Sequence, residues 1–240
     1  MNFRDQAIII SKKPLKENSC IITVFTRSHG IYSGVLRQYS KKMGDNLAEG
    51  NLIDFFWNAR LHEHIGSAKA ELIKSYNAHI MMDKTKLYAF NSTVSLLKMS
   101  FCEREEHNNL FPTLLRFIEG FKQSFSLKDY IELELEILAE TGYKLQLNNC
   151  AVTNSDQDLY YVSPKSGRAV SSQAGENYAD KLLKLPKFLI EDSKINESEI
   201  QDAFRLTSYF LERYIFINKP QPLARKNFIE HLSYSPQDID

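Results

Sequence analysis

The chain has 240 residues, enough for one large domain or two small ones, and its 43% hydrophobic and 25% charged residues describe a globular protein rather than a disordered one. No run approaches ~18 consecutive apolar residues, which argues against a membrane-spanning helix, and Met1-Asn2-Phe3-Arg4-Asp5 lacks the apolar stretch of a signal peptide. Basic and acidic residues cancel overall, yet residues 1–42 hold eight basic and two acidic side chains while 81–150 and 151–240 are each slightly acidic, so the N-terminal part is the one suited to a polyanionic partner.

The first 80 residues read as strands. Ala7-Ile8-Ile9-Ile10 is a short apolar run, Cys20 to Phe25 is β-branched and stops before the turn signal His29-Gly30, and Ile31 to Leu36 follows at once. Leu52 to Trp57 and Ala70 to Tyr76 complete five candidates. Five short strands with polar turns suggest a small closed barrel, because closure removes exposed edges. Lys41 to Gly50, with Gly44, Asp45 and Asn46, reads as a mobile loop.

Near residue 80 the period changes. Met81, Leu87, Phe90, Val94, Leu97 and Phe101 recur at mostly helical steps, Leu110 to Phe125 repeats the pattern, and Ile131 to Glu140 forms a third helix with Gly142 as its C-cap. The acidic series Glu132, Glu134, Glu136 and Glu140 reads as the solvated face of that helix. Residues 148–176 are irregular, a long helix follows from Ile200 to Ile215, and short helices are expected at 177–185 and 223–232. The fold class is α+β: a five-stranded barrel over 1–80, then a mostly helical region over 81–240 with an irregular insertion at about 148–176.

Three widely spaced cysteines, Cys20, Cys102 and Cys150, fit a reducing cytoplasm without disulfides. Tyr160 to Pro164 and Gly167 to Ser171 look like a hairpin around Lys165-Ser166. A zinc ribbon places thiolates at the ends of such a hairpin. Here those places are Cys150, Thr153, Ser171 and Ala174, so one thiol remains in a degenerate zinc-ribbon frame and no metal or other cofactor is expected. His62 and His64 share a strand face but make too few ligands, and read as rim histidines. Phe55 and Trp57 share a face and are assigned to the barrel core rather than to base stacking. The basic set Lys12, Lys13, Lys16, Arg27, Arg37, Lys41 and Lys42 lies in or beside predicted turns, where loops at a barrel mouth can converge on a phosphate backbone. Lys41-Lys42 is the strongest pair in that reading. There is no Walker A loop, no G-x-G-x-x-G, no H-E-x-x-H and no G-x-S-x-G, so no enzyme is expected.

With these residues laid out, the sequence resembles the bacterial RecO family along nearly its whole length. Arg4-Asp5-Gln6-Ala7-Ile8-Ile9-Ile10, Thr26-Arg27-Ser28-His29-Gly30 with Arg37, Ile131 to Leu135 with Thr141-Gly142-Tyr143, Tyr160 to Val170, and Lys219-Pro220-Gln221-Pro222-Leu223-Ala224-Arg225 are similar to its motifs, in order. The resemblance implies an N-terminal OB-fold and a nucleoid-associated mediator of DNA recombination and repair. Such a protein binds single- and double-stranded DNA, anneals complementary strands, and contacts RecR and the single-stranded-DNA-binding protein while helping to load recombinase at gaps. Some members of the family carry a four-cysteine zinc site, from which this chain departs at Thr153, Ser171 and Ala174. An OB-type RNA-binding factor is the alternative, because a barrel alone does not separate DNA from RNA. For the acidic, apolar-tipped tail of a single-stranded-DNA-binding protein, Arg116 and Lys122 are the candidate cations, on a helix rich in Phe111, Phe117 and Phe121.

Overall fold

The computed structural model describes residues 1–37, 46–61 and 64–234. Five strands open it: β1 (Asn2–Lys16), β2 (Ser19–Thr26), β3 (Gly30–Arg37), β4 (Leu52–Asn58) and β5 (Ser67–Lys74). They close into a barrel in the order β1-β2-β3-β5-β4. β1 is long enough to serve two neighbours: Asn2 to Ile8 pair with β4, and Ala7 to Lys16 pair with β2. A register shift between Ile9 and Ser11 bends the strand where it passes from one sheet edge to the other. The final closure is a short parallel contact between β3 and β5, Val35 opposite Ser67 and Leu36 opposite Ala68.

Strand alternation explains the barrel core. Ala7, Ile9, Cys20, Ile22, Val24, Tyr32, Leu36, Ile53, Phe55 and Trp57 fill the interior. Ile8, Ile10, Phe25 and Ile31 belong instead to the core shared with the helices. Burial on both faces is why the opening strand carries an unbroken apolar run rather than an alternating one. The Thr26 to Gly30 segment closes the β2–β3 turn: the Thr26 hydroxyl donates to the Gly30 carbonyl, and the Asp5 carboxylate accepts from the Ser28 N–H and pairs with His29 Nδ1 at 3.0 Å.

The helices are α1 (Asn77–Met81), α2 (Lys84–Ser100), α3 (Leu110–Gly120) and α4 (Leu127–Glu140). Asp83 and Ser126 cap α2 and α4 by accepting from the N–H groups of Lys86 and Asp129. Gly142, at φ +90°, lets the Tyr143 N–H turn back to the Leu138 carbonyl at 2.8 Å and stops α4. The hairpin follows as β6 (Leu159–Val162) and β7 (Ala169–Ser171), then α5 (Ser172–Gly175), β8 (Leu183–Lys184), α6 (Glu197–Tyr214) and α7 (Leu223–Tyr234). Among the described residues no helix is long and apolar enough to cross a membrane.

Two expectations are corrected. The short helix expected at 177–185 is a 3-10 helix and ends early: it spans Glu176–Lys181, and Leu183 and Lys184 pair instead with the free edge of β6. Glu134 is not on a solvated face. It lies one turn beyond Tyr130 on the buried side of α4, where Arg225 of α7 pairs with it at 2.7 Å and neither side chain is more than 1% exposed.

Candidate nucleic-acid interface

At one end of the barrel the β1–β2 hairpin tip, the end of β3 and the β4–β5 connection surround an open cleft of about 920 Å³. Leu15, Val35, Ala59 and Ile65 supply apolar walls, while Arg37, Arg60, His64 and Glu17 supply charge or polarity. Every lining residue belongs to the barrel. Leu15 and Ile65 are 46% and 42% exposed, unusual for aliphatic side chains facing one cleft. Arg37 and Arg60 are exposed, and among the described residues neither forms an ion pair, in contrast to Arg4, Arg116 and Arg225.

The cleft's far wall is held from inside the barrel. Trp57 Nε1 donates to the Ser33 carbonyl at 3.1 Å and to the Ile65 carbonyl at 2.9 Å, tying β3 to the β4–β5 connection. Gly66 has φ +73°, and a Cβ there would lie 2.6 Å from the indole, so only glycine lets the connection lie flat on Trp57. From the other side Arg104 donates to the His64 carbonyl at 2.9 Å and sits 5.6 Å from the ring centres of Tyr32 and Trp57.

The structure divides the basic set. Lys12 and Lys13 stand opposite Ile22 and Ile21, Lys16 ends β1 opposite Ser19, and Arg37 also pairs with Ser19, so these four reach the same end of the barrel. Lys13 acts on Lys98 of α2: desolvation, together with the Lys13 charge, holds the Lys98 ammonium below its ordinary range against the opposing pull of Glu49. Arg27 lies at the other end of β2, roughly 23 Å away for a strand of this length, with its guanidinium 5.8 Å from the Phe111 ring centre and bonded to Gln6. Lys41 and Lys42 lie outside the described residues, as does His62. Arg60 was not singled out in the sequence, while His64, read there as a rim histidine, does line the cleft. The signal for Arg60 was its place in a short basic segment, Arg60-Leu61-His62-Glu63-His64, between two strands.

Arg116 and Lys122 do not converge. Arg116 binds Glu132 at 2.7 Å and approaches Asp129, while Lys122 lies over Tyr76, whose hydroxyl donates to Glu119 at 2.6 Å. Phe111, Phe117 and Phe121 are buried in the core rather than open as a groove, because α3 turns its aromatic side toward Tyr130 and Phe25. Arg116 instead borders a cavity of about 370 Å³ with Leu135, Ala139, Lys144, Leu145 and Leu147.

At the base of the hairpin the Cys150 thiol lies 3.5 Å from the Ser171 hydroxyl and accepts from the Ser171 N–H at 3.3 Å. Burial pushes this thiol up, but donors from Thr153 and Ser171 outweigh it and bring it down to about 6. Among the described residues no group of three or more His, Cys, Asp or Glu side chains is placed to hold a metal ion.

Comparison with known families decides what this assembly belongs to. The profile described as Recombination protein O N terminal matches residues 1–76, and that described as Recombination protein O C terminal matches residues 81–222. The chain belongs to the RecO family. It is 54% identical over 233 residues to a DNA repair protein RecO of Rickettsia felis, covering 97% of this chain and 98% of the relative. A DNA repair protein RecO of Rickettsia rickettsii is 55% identical over 232 residues, covering 96% and 98%, and one of Rickettsia bellii is 54% identical over 233 residues, covering 97% of each.

Proposed function

We propose that the chain is a DNA-binding mediator of recombinational repair. It binds single- and double-stranded DNA, anneals complementary strands and helps load recombinase on protein-coated gaps, without catalysing a reaction itself. The repair role follows from the name shared by its relatives. The observation that supports DNA contact is the cleft at the barrel end, with Arg37 and Arg60 on its rim and, among the described residues, in no ion pair. The strand order β1-β2-β3-β5-β4 with a short parallel β3–β5 closure supports an OB-fold, whose ligands typically lie between the β1–β2 and β4–β5 loops.

The rim cations act on phosphates rather than on base edges, since the barrel offers no helix for a major groove. The helical region receives partners, RecR and the tail of a single-stranded-DNA-binding protein; of the two cations expected for that tail, Arg116 borders a cavity with Lys144, and Lys122 stands apart over Tyr76. The Cys150 hairpin is a zinc-ribbon frame that has lost its ligands, and the working location is the cytoplasm, at the nucleoid.

Fluorescence anisotropy with single-stranded DNA at several salt concentrations tests this reading. Log affinity should fall linearly with log salt, by roughly 0.7 per phosphate contact, and Arg37→Ala with Arg60→Ala should lower the slope by about 1 to 2. An unchanged slope removes these arginines from the interface. Tighter binding to matched RNA than to DNA overturns the DNA assignment.

A further inference from the structure

We infer that the barrel-end cleft takes one unstacked nucleobase of a single strand between Leu15 and Ile65, while Arg37 and Arg60 hold the flanking phosphates. The inference rests on the DNA-binding reading of this site and adds what the cleft itself recognises.

A site built only to follow a phosphate backbone needs cations on a polar surface, and it gains nothing from exposed aliphatic side chains. This cleft has both. Leu15 and Ile65 stand nearly half exposed on its walls, with Val35 and Ala59 behind them, and Leu61 of the same connection is 53% exposed. Three of the protein's exposed large aliphatic residues therefore gather at the barrel end that also carries Arg37 and Arg60, which form no ion pair among the described residues. Charge complementarity favours a polyanion: among the described residues Glu17 is the one carboxylate on a lining that carries Arg37, Arg60 and His64.

The wall bearing Ile65 is rigid, because Trp57 holds the Ile65 carbonyl from beneath and Arg104 holds the His64 carbonyl beside it. A rigid apolar slot costs little to organise on binding. Its volume, about 920 Å³, lies in the range of small-molecule pockets. The facing walls are the aliphatic Leu15 and Ile65, which meet the flat face of a base, while Asn18 and Asn58 also line the cleft, so the slot favours strands whose bases are free. Duplex DNA keeps its bases stacked and meets only the rim.

The test compares, on the whole protein, a thymidine oligonucleotide with a sugar-phosphate oligomer of equal length that lacks bases. Wild-type protein should bind the thymidine strand roughly tenfold more tightly, within the range of one base contact. Leu15→Ser with Ile65→Ser should bring the two affinities together, with a salt slope still set by the rim cations. Equal wild-type affinities, or a preference that survives in the double variant, overturn the base slot and leave the phosphate reading standing. Failure of both strands to bind overturns the phosphate reading as well.

Discussion

Arg225 is fully buried, and its guanidinium donates to both carboxylate oxygens of Glu134 at 2.7 and 2.9 Å, to Thr207 and Ser208, and to Gln221. Tyr130 completes the network by donating to Glu134 at 2.6 Å, and burial together with the Glu134 charge holds its phenol well above the ordinary range. The pair ties the last helix to α4, across 91 residues of sequence. Arg225→Ala leaves a buried carboxylate without its counter-charge and should cost about 3–5 kcal/mol in urea denaturation. Removing both charges, Arg225→Met with Glu134→Leu, should cost far less, because no buried charge is stranded. Neither residue announces this in the sequence. Glu134 sits among other glutamates, and a buried acid looks the same as an exposed one until its partner is placed.

At the scale of elements, the β4–β5 connection depends on one backbone conformation. Gly66→Ala forces a side chain into the left-handed region and against the Trp57 indole. It should cost about 2–4 kcal/mol and, by lifting Ile65, weaken single-strand binding in the same anisotropy assay. The β6–β7 hairpin supplies the second prediction. Val162 and Ala169 are fully buried and pair across it, which supports the expectation that apolar packing can hold it without metal. A chelator should leave the melting temperature unchanged, and elemental analysis should find no stoichiometric zinc; a fall in stability on chelation would show that the remaining thiol still holds a metal. Positions of strands were legible because β-branched runs and turn residues are local signals, whereas the strand Leu183–Lys184 was not. That strand exists only because β6 offers an edge to pair with.

The barrel and the helices share one core. Ile8, Ile10, Phe25 and Ile31 pack with the residues of α2, α3 and α4, and the Phe25 and Phe111 rings stack 6.5 Å apart. A segment after α2 joins the barrel as well, with Glu103 bridging to Ile31. The two regions should therefore unfold together. Trp57, the one tryptophan of the chain, reports the barrel, and far-ultraviolet circular dichroism reports the helices. Urea transitions followed by the two signals should coincide; separate midpoints would show that the barrel and the helical region are independent units.

The sequence by itself determined the strand-to-helix switch near residue 80, the core placement of Trp57, the Gly142 stop of α4 and the basic character of the N-terminal part, because each is written in neighbouring residues or in a short period. The division of the basic residues was decided by tertiary structure alone. Arg27 and Arg37 are ten residues apart in sequence, yet β2 and β3 run antiparallel and carry them to opposite ends of the barrel. The same closure brings Leu15, Arg37, Arg60 and Ile65 around one cleft from three separate segments. A linear chain shows the residue types of such a site, but its members become neighbours only when the barrel closes and the backbone hydrogen bonds of β3, β4 and β5 are satisfied.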